Sequence, residues 1–357
     1  MRIAQVLTAS TGGIGRHVAS LVPRLVQRGH QVQIFCPSVT ATAQGFGDLG
    51  FGGMGVPVRS LRQLAAARGA DVVHGHGYKA GGLVALLTPL LPSPRVVTWH
   101  NAVLGRGRSA AAARVLQRVV ARNADLTLGA SSDLVAEALR LGAPAARLGP
   151  VAAPMLAPPK TPADQVRAEL GIAEDDIFIV TVSRLAPQKN LGLVLDIAAA
   201  LRDRTRLQFV VVGDGPERAS LAARIAVNAL PVRLIGRRDD IADLLAAADF
   251  ALLTSTWEAR ALVAQEALLA GLPLVATRVG GIEELVGEAA VLVDLDDPGA
   301  AAAAVAALAA DPVRRAELRV AGLARAGSWP DEDAVADDVL AAYAQVIAPG
   351  GGGSVGG

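Results

Sequence analysis

Short apolar runs alternate with helical stretches along this chain, and the alternation restarts after a proline-rich segment at 153–165. Strand–helix alternation predicts parallel sheets covered by helices. The predicted strands before that segment are 3–8, 32–36, 56–59, 71–74, 95–99 and 126–129. Those after it are 177–182, 208–212, 232–235, 250–254, 274–277 and 290–293. We therefore expect an α/β chain with two doubly wound parallel-sheet domains that face each other across a cleft.

Composition narrows the classes of function that fit such a chain. Its 357 residues suit two domains better than one core. A net charge of +1 gives no bulk electrostatic argument for a nucleic-acid partner. Cys36 is the single cysteine, which excludes an intrachain disulfide and fits a reducing compartment. The first residues are predicted as a strand, not a signal peptide, and no apolar stretch is long enough for a membrane span. We expect a cytoplasmic protein whose membrane contact, if it has one, is peripheral at the inner face.

Three glycines follow the first predicted strand, at Gly12, Gly13 and Gly15. Glycines before a helix let backbone N–H groups approach an anion, and they also suit a tight strand–helix connection. A nicotinamide-binding fingerprint would need another glycine where Val18 stands, and an acidic residue at the end of the second strand, near Cys36. The dehydrogenase interpretation therefore fails at both positions.

Arg184 and Lys189 lie on one loop, directly after the first strand of the second half. A guanidinium and an ammonium close together suit a diphosphate, although two solvated surface charges would give the same pattern. Lysine is otherwise found only at Lys79 and Lys160. Its rarity favours a required cation at position 189.

Two further strand-end segments carry candidate ligand contacts. Gly213 and Gly215 mark a sharp turn, or a place where a nucleotide lies flat against the backbone. Glu258 follows a later strand, and Glu266 lies about two turns along the next helix. Carboxylates accept paired hydroxyls of a sugar or ribose. The alternatives are a capping role for Glu258 and a solvated Glu266, but Glu266 stands in an apolar run where an unpaired carboxylate is costly to bury.

Together these motifs resemble the large retaining glycosyltransferase family 4, of GT-B fold. The pattern comprises Gly-Gly-x-x-x-His at 12–17, Arg184 with Lys189, the glycine turn at 212–216, and Glu258-x7-Glu266 followed by 280–286. The resemblance implies that the first domain binds mainly the acceptor and the second mainly a UDP- or GDP-sugar. It also implies that no metal or separate cofactor is needed, since Arg184 and Lys189 neutralise the diphosphate.

The resemblance also assigns roles by position. Glu266 would hold the ribose, Glu258 the donor sugar, and the turn at 12–15 would approach the donor phosphate. Backbone N–H groups after Glu258 would meet the donor, at Arg260, Ala261 and Leu262. The family usually has glycine or another small residue in this stretch, so Arg260 is a departure. Either it grips a charged group of a substrate or it points to solvent.

Histidines follow two strands of the first half. His100 matches the histidine that the family places beside the transferred sugar, and it completes the predicted catalytic set with Arg184, Lys189 and Glu258. His76 remains open between a functional and a structural role. A strand-end histidine is more often a satisfied structural group, and this is our interpretation of His74 and His30.

The resemblance implies four segments. Residues 1–155 form the acceptor-side domain, 165–330 the donor domain, 331–348 a helix that packs back on the first domain, and 349–357 a flexible glycine-rich tail. Trp329 would begin the segment that crosses back.

Two alternatives use the same fold and stay open on sequence alone. One is a nucleotide-sugar 2-epimerase, which would need no acceptor. The other is a protein that binds sugar nucleotides without turnover.

Basic residues on one predicted helix are relevant to the chemical nature of the acceptor. Arg114, Arg118 and Arg122 share one helical face, and Arg106 and Arg108 precede it. Such a helix can rest on an anionic membrane, which would fit a lipid-linked or cell-envelope acceptor. An ordinary solvated face has the same pattern.

Overall fold

The structure is a computed structural model of the chain, and it describes residues 1–10, 12–46, 56–57, 67–86, 92–105 and 107–348. By their contacts these residues fall into two compact units. One unit comprises Met1–Ala152 with the segment that begins at Pro330, and the other is Ala153–Trp329. The division lies three residues before the predicted end of the first domain. Each unit contains one parallel sheet.

The first unit contains a seven-stranded sheet in the order β3-β2-β1-β4-β5-β6-β7, and all of its pairings are parallel. Its strands are β1 (Arg2–Leu7), β2 (Gln31–Cys36), β3 (Val56–Pro57), β4 (Val72–His76), β5 (Arg95–Trp99), β6 (Leu126–Gly129) and β7 (Ala146–Leu148). Its helices are α1 (Gly13–Gln27), α2 (Ser38–Ala43), α3 (Gly77–Leu86), α4 (Arg108–Asn123), α5 (Ser132–Arg140) and, at the end of the chain, α14 (Glu332–Ile347).

The second unit contains a six-stranded parallel sheet in the order β10-β9-β8-β11-β12-β13. Its strands are β8 (Ile177–Val182), β9 (Leu207–Val212), β10 (Val232–Gly236), β11 (Phe250–Leu253), β12 (Leu274–Thr277) and β13 (Val291–Val293). Its α-helices are α6 (Ala163–Glu169), α7 (Leu191–Ala200), α8 (Arg218–Val227), α9 (Ile241–Ala247), α10 (Leu262–Leu269), α11 (Ile282–Val286), α12 (Pro298–Ala310) and α13 (Pro312–Gly327).

Both faces of the second sheet are buried, which explains why its strands are apolar without interruption. Successive residues of β8 point to opposite faces. Phe178 belongs to the apolar cluster on one face and Ile179 to the cluster on the other, and both are almost fully buried. Helices cover the two faces, as parallel sheets require.

The predicted fold class is confirmed, and each of the twelve predicted strands has a counterpart. The predicted strand at 56–59 is present as β3, and its residues 58 and 59 lie outside the described part of the chain. The strand β7 was missed. It is three residues long, contains an arginine and lies at the edge of the sheet, so neither its length nor its polarity distinguishes it from a loop.

The last helix, α14, packs on α1 of the first unit. Arg28, the C-cap residue of α1, donates to Asp337 at 2.7 Å and to Asp333 at 3.0 Å, and Arg24 of α1 pairs with Glu332. Tyr343, fully buried, projects from α14 into the core of this unit. The predicted tail at 349–357 lies outside the described residues. Among the residues that the structure describes, no helix has the length and apolar character needed to cross a bilayer.

Candidate functional site

The loop after β8 places Lys189 beside Glu258. Residues Pro187–Lys189 form a single 3-10 turn, and the following Asn190 has a positive φ of 46°. The backbone N–H of Thr256 donates to the Gln188 carbonyl at 2.8 Å, and the Gln188 amide donates to the Trp257 carbonyl at 2.8 Å. Because β8 and β11 are neighbours in the sheet, their carboxyl-terminal loops meet, and these hydrogen bonds fix them together.

An ion pair connects the two loops. Lys189 Nζ lies 2.5 Å from Glu258 Oε1, and Ser255 Oγ donates to the same oxygen at 2.6 Å. The Lys189 side chain is 20% exposed and the Glu258 side chain 10% exposed, so the pair is well shielded from water yet reachable. Among the described residues, both bonds end on Oε1, which leaves Oε2 as an acceptor. An ammonium has three donors, so Lys189 retains donors for an anion.

Close backbone contacts explain the glycines around these loops. A Cβ at Gly213 would lie 1.9 Å from the Ser183 carbonyl oxygen, and one at Gly215 would lie 2.3 Å from the Leu185 oxygen. Gly280 has the same relationship to the Glu258 oxygen, at 2.1 Å. No side chain fits at such separations. These glycines therefore allow the loops to pack against each other, whatever part Gly213 and Gly215 play in binding a nucleotide.

The other predicted residues of the second unit lie around this pair. Arg184 is exposed on the same loop as Lys189. Ala261 is the N-cap residue of α10 and Leu262 is its first residue. Glu266 is half-buried one turn along the helix, not the predicted two, because the helix begins four residues after Glu258. The first N–H groups of the helix have no partner within it. This arrangement suits an anionic ligand.

Arg260 does not simply extend into solvent. Its side chain is half-buried, and its Nε is buried without a hydrogen-bond partner among the described residues. Burial lowers the pKa of the guanidinium, Glu284 raises it and Arg325 lowers it. A cation with an unsatisfied buried donor is unfavourable. Of the two predicted alternatives for Arg260, the one in which it points to solvent does not fit this geometry.

In the first unit, the glycine turn begins α1. Gly12 is the N-cap residue and Gly13 the first helical residue. The backbone N–H of Gly15 donates to Ser10 Oγ at 3.0 Å, and Ser10 N donates to Thr40 Oγ1 at 2.9 Å. A Cβ at Gly15 would lie 2.6 Å from the Gln44 side chain. A larger residue at Gly15 would require the flexible Gln44 side chain to move, whereas a Cβ at Gly12 would meet nothing within 4 Å.

His74 is a structural group, fully buried and bonded at both ring nitrogens. Its Nδ1 lies 2.8 Å from Tyr343 Oη and its Nε2 lies 2.7 Å from Thr98 Oγ1. His30 is partly exposed, with Nδ1 3.2 Å from the amino terminus. Both observations agree with the structural interpretation of these two histidines.

His100 and His76 lie at the carboxyl ends of neighbouring strands, and His17 of α1 lies beside them. The ring centroids of His17 and His100 are 5.3 Å apart, and those of His76 and His100 are 5.8 Å apart. Burial lowers the pKa of His17 to about 4, and it lowers the pKa of His76 and of His100 well below the ordinary value. All three imidazoles are therefore neutral at pH 7.

Several residues of these sites were missed in the sequence. The sequence indicates His17 only as the last residue of the glycine motif at 12–17. Ser255 and Gln5 carry no signal of their own, and only the three-dimensional contacts reveal them. Gln265 on α10 is fully buried, and neither its amide nitrogen nor its oxygen has a hydrogen-bond partner among the described residues. A glutamine within an apolar helix could have been identified as unusual.

A cavity of about 630 Å³ lies elsewhere in the second unit. It is lined mainly by apolar side chains, including Leu156, Leu245 and Leu272, and by Arg315 and Arg319. Arg184, Lys189 and Glu258 do not line it. The cavity is therefore separate from the charged pair.

Comparison with known proteins gives two family matches that together span most of the chain. Residues 176–311 match the model of "Glycosyl transferases group 1". Residues 12–153 match the model of "Glycosyl transferase 4-like domain". Each of the two units thus has its own match.

Full-length relatives match as well. The chain is 32% identical to a D-inositol 3-phosphate glycosyltransferase of Geodermatophilus obscurus, over 93% of this chain and 84% of the relative. It is 29% identical to D-inositol 3-phosphate glycosyltransferase 1 of Catenulispora acidiphila, over 98% of this chain and 85% of the relative.

Among solved structures, the fold matches HepE from Anabaena in complex with UDP-glucose. The TM-score is 0.80 at 21% identity, over 97% of this chain and all of that chain. A sucrose-phosphate synthase from Thermosynechococcus elongatus matches with a TM-score of 0.77, also at 21% identity, over 97% and 99% of the two chains. These likenesses establish the fold.

Proposed function

The chain belongs to glycosyltransferase family 4, and we propose that it transfers a sugar from a UDP- or GDP-sugar to an acceptor hydroxyl, with retention of configuration and without a metal ion. Glycosyl transfer itself follows from the family. The observation that supports a diphosphate donor and metal independence is the largely buried pair of Lys189 and Glu258, with Ser255 on the same carboxylate oxygen. Retention is proposed from the resemblance to the family.

The pair suits the two parts of a nucleotide-sugar donor. The remaining donors of Lys189, together with the exposed guanidinium of Arg184, neutralise the diphosphate as it departs. Oε2 of Glu258 accepts a hydroxyl of the sugar ring, and Glu266 one of the ribose. Since two cations supply the charge compensation that a divalent metal would otherwise supply, we expect no metal requirement.

The chemical step breaks the bond between the anomeric carbon and the diphosphate oxygen. The acceptor oxygen then bonds to that carbon from the same face, and the acceptor proton passes to the departing phosphate. The protein contributes by holding the donor and stabilising the charge that develops on the diphosphate. His100 remains a predicted catalytic residue. Its neutral imidazole exchanges hydrogen bonds with hydroxyls rather than acting as a cation.

UDP-glucose is the first donor to test, because HepE of Anabaena, which has the same fold, was solved in complex with it. D-inositol 3-phosphate is the first acceptor, because the names of several relatives carry it. UDP-N-acetylglucosamine and GDP-mannose extend the donor panel. Mass spectrometry identifies a new glycoside, and proton NMR of its anomeric signal gives the configuration.

The test separates transfer from the two alternatives. We expect a glycoside with the donor's anomeric configuration, formed equally in the presence of excess EDTA. Conversion of the nucleotide sugar without any acceptor would establish the 2-epimerase instead. Binding of nucleotide sugars without product in any pairing would establish the non-catalytic binder. Activity that is lost in EDTA and restored by Mg²⁺ or Mn²⁺ would overturn metal independence.

Arg184→Ala supplies the site-specific control. Its loss of a charged contact to the diphosphate should lower kcat/KM by about 30-fold or more. Arg202→Ala removes an exposed arginine of the same unit, at the end of α7, and should leave transfer unchanged. Equal activity of Arg184→Ala and Arg202→Ala would remove Arg184 from the donor site.

A further inference from the structure

Three histidines of the first unit converge, and the proposed function gives a role to His100 but not to the convergence of all three rings. His17 lies on α1, His76 is the last residue of β4, and His100 follows β5 directly. Each ring offers one nitrogen within 4.8 Å of a nitrogen of both others. The strands β1, β4 and β5 are adjacent in the sheet. Because α1 follows β1, the ring of His17 lies next to the carboxyl ends of β4 and β5, where His76 and His100 are found.

Each of these rings has a buried nitrogen that lacks a hydrogen-bond partner within the described part of the chain. The atoms are His17 Nδ1, His76 Nδ1 and His100 Nε2. A buried polar atom that is left without a hydrogen-bond partner is energetically unfavourable. Three such atoms in one place are unusual, because buried polar groups are nearly always satisfied. A ligand bound among the three rings would satisfy these atoms.

The hydrogen bonds around His76 determine which of its nitrogens is a lone pair. Gln5 Nε2 donates to Tyr343 Oη at 2.8 Å, so Gln5 Oε1 is the end that faces His76 Nε2, at 2.7 Å. A carboxamide oxygen only accepts, and His76 therefore donates through Nε2–H. Its Nδ1 is left unprotonated within the cluster. A metal-binding histidine has the same arrangement, with one nitrogen on the metal and the other held by an oxygen.

His74 is excluded from the cluster, because both of its nitrogens already have partners. A histidine-only ligand set favours Zn²⁺, Cu²⁺, Ni²⁺ or Co²⁺ over Mg²⁺ and Ca²⁺, which prefer oxygen.

We propose that His17, His76 and His100 form a binding site for one divalent transition-metal ion, with Zn²⁺ as the representative ion. Three imidazoles leave a fourth, open position in a tetrahedral site. Zinc–nitrogen bonds of about 2.1 Å place the nitrogens about 3.4 Å from one another. The rings must therefore approach by at most about 1.4 Å on binding, which side-chain rotation can provide.

The site gives the metal an inhibitory role, and this consequence rests on the proposed function. His100 is a predicted catalytic residue, and a bound ion occupies its free nitrogen. Zn²⁺ should therefore inhibit a transferase that needs no metal, and EDTA should restore its activity. Metal binding itself is measured without any substrate, so failure of the transferase proposal and failure of the metal site are distinguishable.

The direct test is calorimetric titration of the full chain, prepared without a histidine tag and stripped with EDTA, with Zn²⁺ and separately with Mg²⁺. We expect one Zn²⁺ per chain and no Mg²⁺ binding. Co²⁺ should give the intense visible absorption of a tetrahedral site. His17→Gln and His100→Gln should each weaken Zn²⁺ binding more than about tenfold, whereas His30→Gln, which changes a partly exposed histidine beside the amino terminus, should not.

Two cluster variants are used because one of them could fail to fold. His100 is less buried than His17, so its replacement should disturb the fold less. If His17→Gln does not fold by circular dichroism, His100→Gln alone decides. Zinc binding that is equal in the wild type and the folded cluster variants would overturn the proposal. So would a wild type that binds no Zn²⁺, or one whose binding disappears in His30→Gln.

Discussion

Lys189 Nζ and Glu258 Oε1 lie 2.5 Å apart, although the two residues are 69 positions apart in the chain. The ammonium is therefore already paired before any ligand is present. Half-buried ion pairs respond strongly when one partner is removed, because the other is left without compensation. The pair holds each side chain in place for the other, so under the proposed function a diphosphate would add to the contacts of Lys189 instead of creating them.

Removing Lys189 should therefore impair both parts of the donor site. We expect Lys189→Ala to lower kcat/KM by about 100- to 1000-fold, through the lost contact to the diphosphate and the loss of Glu258 positioning. Because the residues act as a unit, Lys189→Ala/Glu258→Gln should lose much less than the product of the two single losses. Steady-state kinetics of the four proteins measure this coupling.

Lys160→Ala is the matched control, since Lys160 is an exposed lysine of the same unit whose backbone N–H, not its side chain, bonds Asp243. It should retain wild-type kinetics. A Lys189→Ala variant within about threefold of the wild type would refute the role of the pair in transfer.

Cys36 should make the protein lose stability at alkaline pH. Burial on β2 raises the pKa of this thiol from 9.0 to about 11. The thiol ionises at a lower pH in the unfolded chain than in the folded protein. The stability that the buried neutral thiol contributes is therefore fully present below pH 9 and is lost as the pH rises toward 11. From pH 8 to 10, the free energy of unfolding should fall by about 1 kcal/mol more in the wild type than in Cys36→Ala.

Urea unfolding at pH 8 and at pH 10 measures this difference. The tyrosines, lysines and arginines are common to both proteins, so their titration cancels in the comparison. An equal fall in the two proteins would contradict a protected thiol.

The fold could be predicted because its signal is local. Strands buried on both faces are continuous apolar runs, and twelve of them stand out between helical stretches. The strand β7 could not be found in this way, because its three residues are half-exposed or exposed and pair with β6 only on one side.

The site was predictable only as separate parts. Lys189 and Glu258 could each be placed after a strand, but their contact depends on β8 lying next to β11, which no local pattern reveals. The same applies to His17, His76 and His100, since a helix residue meets two strand ends only through the order of the sheet. Arg260 stands out as unusual in the sequence, but its buried Nε is a property of packing.

The exposed face of α4 should attract anionic lipid. Arg114 and Arg118 are exposed, and Val115 and Val119, which follow them directly in the chain, are 65% and 39% exposed. Arg106 lies outside the described residues. We expect co-sedimentation with vesicles rich in phosphatidylglycerol at low salt, lowered about tenfold or more in Arg114→Gln/Arg118→Gln.

The control is Val227→Ser, which removes another strongly exposed valine from the second unit and should have no effect. Val115→Ser/Val119→Ser should weaken binding if the apolar side chains enter the interface. Sedimentation that depends neither on anionic lipid nor on salt would show that this face is only solvated.

Arg260 should select for a substrate with an additional negative charge. Its Nε is buried without a hydrogen-bond partner among the described residues, and its charge interacts with those of Glu284 and Arg325, so the guanidinium is held within the protein rather than dispersed in water. A carboxylate or phosphate would satisfy this donor and restore the pKa of the guanidinium that burial has lowered. We expect Arg260→Ala to lower kcat/KM by about 10- to 100-fold for such a substrate and by less than about threefold for a neutral one.

The comparison uses substrates that differ only in this charge, such as UDP-glucuronic acid and UDP-glucose as donors, or inositol phosphate and inositol as acceptors. UDP alone should bind Arg260→Ala as it binds the wild type, because Arg184 and Lys189 provide the diphosphate contacts. Arg260→Lys keeps the charge without the planar fork, so it should recover only part of the preference. If Arg260→Ala lowers kcat/KM for charged and neutral substrates by the same factor, the arginine stabilises the loop and does not recognise the charge of the substrate.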